Sequence, residues 1–323
     1  MLNSIHIQGF KGFKDTKIEG LRKVNLILGG QNVGKTSLLE AVYLGVHPKG
    51  EVNMVSDIFR SFEKSDSARY YEYLYREGEI NIIIDVESEI NNKKLVSRTT
   101  TDRSNLKGKY PYVEDLNFSH SFNMARGVVS DELHQYAYEE NVLTISINQN
   151  SQESQVQLIG KVIGARKKKN LIKILSEIEK RIEDVEVISP DGDLRVYIGL
   201  KNELTLFPLT LLGHGFSRLL NLYSNLIVTY ASLVLIDEIE NGIHYTALPV
   251  MFKGIKEITE KDDIQSIITT HSWECIRAAC EVYEDKPEDF QCIRLERDGD
   301  NIKAVCIPGE QMLQMMNEDM EVR

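Results

Sequence analysis

The sequence is poor in cysteine, in long apolar runs and in positive charge. Its four cysteines, Cys275, Cys280, Cys292 and Cys306, all fall in the last quarter with no C-x-x-C pair. That spacing speaks against a disulfide framework or a zinc site and fits reduced, partly buried thiols. No stretch approaches the roughly 18 apolar residues of a membrane span, and the opening MLNSIHIQGFKGF has no apolar signal core. The expected location is the cytoplasm, with no membrane contact. The formal net charge is −11, which disfavours non-specific nucleic-acid binding by the chain as a whole but leaves room for a local basic groove. No long heptad stretch is present, so a coiled-coil arm is not expected. What is there, 323 residues of ordinary hydrophobic and charged content, suffices for one large or two modest domains with a real core.

The most informative stretch is Val24 to Leu39, VNLILGGQNVGKTSLL. An apolar run of strand length ends in two glycines, and an apolar helical pattern follows. Between them Gly29, Gly34, Lys35 and Thr36 carry the G-x-x-x-x-G-K-[ST] spacing of a phosphate-binding loop. Glycines let backbone N–H groups close around phosphate oxygens, and the helix N-terminus adds partial positive charge. Gly29, Gly30, Gln31, Asn32 and Val33 would form the loop, and Gly34, Lys35, Thr36 and Ser37 would open the helix. Lys35 would reach the β- and γ-phosphates, and the Thr36 hydroxyl would ligate Mg²⁺. The bland alternative is a glycine-rich turn with an incidental lysine.

Two further stretches fit the same site. Leu233 to Ile236 is an apolar strand delivering Asp237 and Glu238 at its C-terminal edge, where α/β folds bind ligands. Asp237 would share the Mg²⁺ shell with Thr36, and Glu238 would orient or deprotonate the attacking water. Gln265 to Thr270 reads as a last core strand ending at His271, a candidate γ-phosphate sensor ahead of a helix from Trp273 to Val282. In residues 209–226, Gly213 and Gly215 precede a helix, another place where an anion can sit, or simply a tight loop.

Elsewhere the signals are weaker. Ile5 to Phe10 and Asp15 to Ile18 read as early strands, and a first helix from Gly34 to Leu44 stops near the breaker cluster His47 to Gly50. Tyr70, Tyr71, Tyr73 and Tyr75 suit a packed helix or, less simply, base stacking. Ile80 to Val86 and Leu95 to Thr101 form a hairpin across Asn91-Asn92, residues 102–130 read as turns, and Val142 to Ile147 is a short strand. Arg166 to Lys169 open an amphipathic helix carrying Leu171, Ile172, Leu175, Ile178 and Ile182. Those cations could touch nucleic acid or a partner, or be solvated. A meander through Val185 to Ile188, Leu194 to Ile198 and Leu204 to Leu206 follows. Cys292 to Arg297 and Ile302 to Ile307 flank a turn in which Asp298 and Asp300 only superficially resemble a metal pair.

Assembled, the order of phosphate loop, G-x-G-x-x-R, Asp-Glu strand and His strand resembles ABC-type ATPase heads, and more closely the overcoming-lysogenization-defect (OLD)-like and recombination-repair branch. Phe10-Lys11-Gly12-Phe13, Gly30 to Glu40, Asp237 to His244 (DEIENGIH) and Thr269 to Ser272 (TTHS) carry the resemblance. It implies an α/β head with a mixed core sheet flanked by helices, an antiparallel β-subdomain and an inserted α+β segment. Residues 1–45 would be its N-terminal lobe, 46–165 an insertion of unassigned role, and 166–323 its C-terminal lobe. It implies binding and hydrolysis of ATP with Mg²⁺ between two heads, with Gly213, Gly215 and Arg218 capping the partner's nucleotide. Laying the L-S-x-G signature on Leu212 to Gly215 puts its serine at Gly213, which has no hydroxyl to offer. About fifty residues follow His271, and no Toprim nuclease domain is expected among them. The implied protein is a homodimer or higher homo-oligomer that controls a separately encoded effector, a nuclease or toxin, in defence against phage or mobile DNA. A DNA-binding repair clamp and a nucleotide-gated scaffold with little turnover are the alternatives.

Overall fold

The structure, a computed structural model, describes residues 1–46, 81–90, 93–102, 119–124, 142–145 and 152–318. Ile5, Ile7 and Phe10 point inward along strand β1 (Leu2–Phe10), and the Lys11-Gly12 turn sends the chain back along β2 (Phe13–Glu19). Strand β3 (Val24–Leu28), buried throughout, opens into the loop before helix α1 (Lys35–Val46). Strands β4 (Asn81–Ile90), β5 (Lys93–Asp102) and β6 (Ser119–Met124) complete a five-stranded antiparallel sheet in the order β2-β1-β4-β5-β6. The expected β4–β5 hairpin is in place, with Ile90 opposite Lys93. β6 was not anticipated, because SHSFNM lies in a segment that reads as turns. The breaker cluster at 47–50 and the four tyrosines lie outside the described residues.

The chain continues through β7 (Val142–Ile145), α2 (Gln152–Gly164), α3 (Lys168–Ile178), β8 (Ile182–Ile188), β9 (Arg195–Leu200) and β10 (Phe207–Pro208). Helix α4 (His214–Val228), strand β11 (Leu233–Ile236), helix α5 (Leu248–Lys261), strand β12 (Gln265–Thr269) and helix α6 (Trp273–Val282) follow. A hairpin of β13 (Phe290–Asp298) and β14 (Asn301–Pro308) leads to α7 (Gly309–Asn317).

The core sheet has the order β14-β13-β3-β12-β11-β7, parallel except at β14. The structure corrects four expectations. β12 is not the last core strand, since β13 adds to the other side of β3. The short strand after residue 141 is the parallel edge of this sheet. Ile182 belongs to β8 rather than to the helix before it, and the third strand of the meander is Phe207–Pro208 rather than Leu204 to Leu206.

Both faces of the core sheet are covered, which explains the continuous apolar runs. Leu26, Leu28, Val234, Ile236 and Ile268 pack among helices α2 to α6, and Ile27, Leu233, Leu235, Ile267 and Ile293 pack with α1 against the antiparallel sheet. The Lys11-Gly12 turn is tied to α1 by an ion pair between Lys11 and Glu40, whose side chains are 12% and 0% exposed. All four cysteines are free thiols, and burial pushes Cys280 up to about 12. Among the described residues no helix is long and apolar enough to cross a membrane.

Candidate functional site

Parallel register brings three strand ends together. Ile27 pairs with Thr269, and Ile268 with Ile236, so the loops after β3, β11 and β12 open on one edge of the sheet. There a cavity of about 400 Å³ is lined by Gln31 to Ser37, Asp237, Glu238 and His271.

The loop after β3 curls because Gly29 (φ 138°), Asn32 (φ 57°) and Gly34 (φ 97°) adopt left-handed or otherwise glycine-favoured backbone. A Cβ at Gly29 would sit 2.7 Å from the Leu295 carbonyl oxygen, and one at Gly34 would sit 2.8 Å from Ile302 Cδ1. The Lys35 ammonium donates to the carbonyls of Gly29 and Gly30, each at 2.8 Å. Burial lowers its pKa, opposed by the carboxylates of Glu240, Glu238 and Asp237. Thr36 Oγ1 donates to Asp237 Oδ2 at 3.0 Å. Burial raises the Asp237 pKa, and the hydroxyls of Thr269 and Thr36 counter it. A hydroxyl and a carboxylate converging at helix start and strand end are hard oxygen donors, the set that Mg²⁺ accepts beside phosphate and water. The residues present therefore fit that ion. Asp298 and Asp300 lie at the β13–β14 turn, where Asp300 pairs with Lys14 at 3.4 Å.

Thr269 was not anticipated. Its hydroxyl donates to Asp237 Oδ1 at 2.6 Å and accepts from the Glu238 N–H at 2.8 Å, while its carbonyl accepts from Ile239 N–H at 3.2 Å. These bonds hold Glu238 at φ 46°, costly backbone for a non-glycine residue, and Asn241 Nδ2 donates to its carboxylate at 3.3 Å. Asp237 thus accepts from Thr36 and Thr269, and Glu238 from Asn241. Ser272 caps α6, accepting from Cys275 N–H at 3.2 Å, which accounts for the serine of TTHS.

Gly213, Gly215 and Arg218 do not line the cavity. Gly213 (φ 86°) is the N-cap of α4 and has no side-chain cap. Arg218 donates to the Asn241 carbonyl and packs against Gly242, where a Cβ would lie 3.1 Å from its Nε. Within this chain the arginine thus grips the loop that follows Glu238. Two cations of the basic run are also engaged: Lys167 Nζ donates to the Ile227 carbonyl at 2.6 Å, and Lys168 bridges Asp184 and Glu186.

The family described as "AAA domain, putative AbiEii toxin, Type IV TA system" matches residues 24–276. A Helicobacter pylori protein described as an ATP/GTP phosphatase is 24% identical over 334 residues, covering 88% of this chain and 89% of that one. Solved structures share the fold. An SMC head bound to the C-winged helix domain of ScpA aligns with a TM-score of 0.64 and 14% identity, covering 97% of this chain and 99% of that one. The SMC head domain from Thermotoga maritima aligns with a TM-score of 0.55 and 15% identity, covering 94% and 98%. The chain belongs to this AAA-domain family and is an ATPase built on the mixed α/β fold of SMC and ABC heads.

Proposed function

We propose that the chain binds and hydrolyses Mg·ATP at this cavity and uses the nucleotide state to join two heads and control a partner protein. The observation that carries the reading is the convergence of Lys35, the Thr36–Asp237 pair, Glu238 and His271 on one cavity. In this reading backbone N–H groups from Gly29 to Ser37 and the α1 N-terminus cradle the phosphates. Lys35 leaves its two carbonyls to meet the β- and γ-phosphates. Thr36 and Asp237 hold Mg²⁺, which when bound would neutralise charge on those phosphates. Glu238 orients the attacking water and accepts its proton, and His271 contacts the γ-phosphate. Gly213, Gly215 and Arg218 cap the partner's nucleotide once two heads meet, Arg218 by giving up its bond to Asn241.

We further propose an OLD-like head acting with a separately encoded effector against phage or mobile DNA; the family description supports the toxin-type part of this reading. The alternative of a DNA clamp loses support from the engagement of Lys167 and Lys168. A nucleotide-gated scaffold gains some from Gly213, which offers no hydroxyl at the α4 N-terminus. The test is light scattering with Mg·ATP, with and without Glu238→Gln. Accumulation of a dimer or larger assembly by the variant alone would support the sandwich. A variant of unchanged size with and without ATP would rule out nucleotide-driven association, and DNA-stimulated turnover with a steep salt dependence would favour the clamp.

A further inference from the structure

His271 stands half exposed at the mouth of the cavity, yet its ring is not free. Glu240, on the loop after β11, has a side chain only 9% exposed. Its Oε1 accepts from the His271 backbone N–H at 2.8 Å and lies 3.0 Å from Nδ1. Its Oε2 is buried with no hydrogen-bond partner among the described residues. A carboxylate left half satisfied in the interior is unfavourable. Stitching one loop to the next would need only a neutral acceptor for a backbone N–H. A second contact, from a carboxylate to a ring nitrogen, has a known chemical consequence: it selects which nitrogen carries the proton and so fixes what the other presents.

We infer that Glu240 is a positioning residue for ATP hydrolysis, holding His271 with its proton on Nδ1 so that Nε2 is the nitrogen turned to the phosphate cavity. A half-exposed imidazole would otherwise sample several rotamers and both tautomers, and each turnover would wait for the right one. Glu240 lies two residues beyond Glu238 and one before Asn241, whose side chain holds the Glu238 carboxylate. One short loop therefore sets both the base and the histidine. This inference rests on the proposed contact between His271 and the γ-phosphate.

The test uses the full chain labelled with ¹⁵N-histidine at about pH 8, with His271→Ala to assign the resonance. The wild type should show His271 as the Nδ1–H tautomer. An Nε2–H imidazole there overturns the inference without any variant. Glu240→Met fills the same space without an acceptor and should release the ring to the Nε2–H form that free imidazole prefers. It should lower kcat by roughly tenfold to a hundredfold, by analogy with the partners that orient metal-bound imidazoles, with KM for Mg·ATP within about threefold. Glu240→Gln keeps an acceptor at Oε1 and should restore the tautomer and most of kcat. Added to His271→Ala, Glu240→Met should cost no more than about twofold again, because coupled residues lose their effect together. Losses that multiply would make Glu240 a structural residue only. If Glu238→Gln hydrolyses ATP as fast as the wild type, the assigned site roles fail, an outcome the tautomer measurement keeps separate.

Discussion

The buried pair between Lys11 and Glu40 makes an asymmetric prediction. Glu40 is 0% exposed on α1, just behind the phosphate loop, and Lys11 is 12% exposed at the β1–β2 turn, its ammonium also 5.4 Å from the Phe10 ring. Replacing Lys11 by Met removes the cation beside a carboxylate that is fully buried. The structure places this in the class of broken buried pairs, which cost about 3–5 kcal/mol, rather than of surface pairs at about 0–1 kcal/mol. Replacing Glu40 by Gln leaves an ammonium on a flexible stem near the surface, able to turn outward, so the cost should be smaller, about 1–3 kcal/mol. The double variant Lys11→Met/Glu40→Gln should recover much of the loss, because both charges leave together. Urea unfolding of the four proteins gives the cycle directly. Equal and additive losses, or a Lys11→Met cost below about 1 kcal/mol, would refute the claim that burial of Glu40 dominates.

Other outcomes follow from the site. Gly29→Ala places a Cβ 2.7 Å from a backbone carbonyl, whereas Gly34→Ala meets the end of Ile302 at 2.8 Å. Calorimetry should find ATP affinity about fivefold to 150-fold weaker for both, with Gly29→Ala the worse, since backbone strain of about 1–3 kcal/mol corresponds to that range. Because burial raises the Asp237 pKa, its charge opposes folding at neutral pH. Asp237→Asn should therefore match or exceed the wild-type Tm without nucleotide while losing Mg²⁺-dependent ATP hydrolysis, and a lower Tm would contradict this. Burial pulls the Asp184 pKa up, and Lys168 together with the Val185 N–H and Glu186 brings it below the usual 3.8. Its contribution is in place above 3.8 and lost as pH falls through the depressed value. Lys168→Met should cost no more than about 1 kcal/mol at pH 7 for so exposed a pair, and the difference should vanish in acid.

What was legible in the sequence had either a fixed spacing or an unbroken apolar run. β3, β11 and β12 were visible because strands covered on both faces need apolar residues at every position, and the acids and histidine were visible as their endings. Helix α2 was not, since only Ile159 and Val162 are buried in QESQVQLIGKVIG. β6 was missed because its pattern is polar, and β7 was seen as a strand but not as a member of the core sheet, since pairing partners leave no trace in local periodicity. Nor does a sequence reveal that Glu240 reaches His271, or that Thr269 ties Asp237 to Glu238, across loops about thirty residues apart. The one hint was that both residues belong to short blocks, DEIENGIH and TTHS, in which only some letters had an assigned task.

The order of the core sheet also dictates a timetable. Asn25 of β3 bonds to the Ser266 carbonyl of β12, 241 residues away, and β3's other neighbour, β13, comes later still. At a synthesis rate of roughly 5–20 residues per second, β3 leaves the ribosome roughly 12 to 50 seconds before either flank exists. During that interval the nascent chain displays a bare apolar strand with a glycine loop that nothing yet shapes. A message broken before residue 265 yields a product that carries the whole phosphate-loop sequence and still cannot assemble the sheet that makes it a binding site.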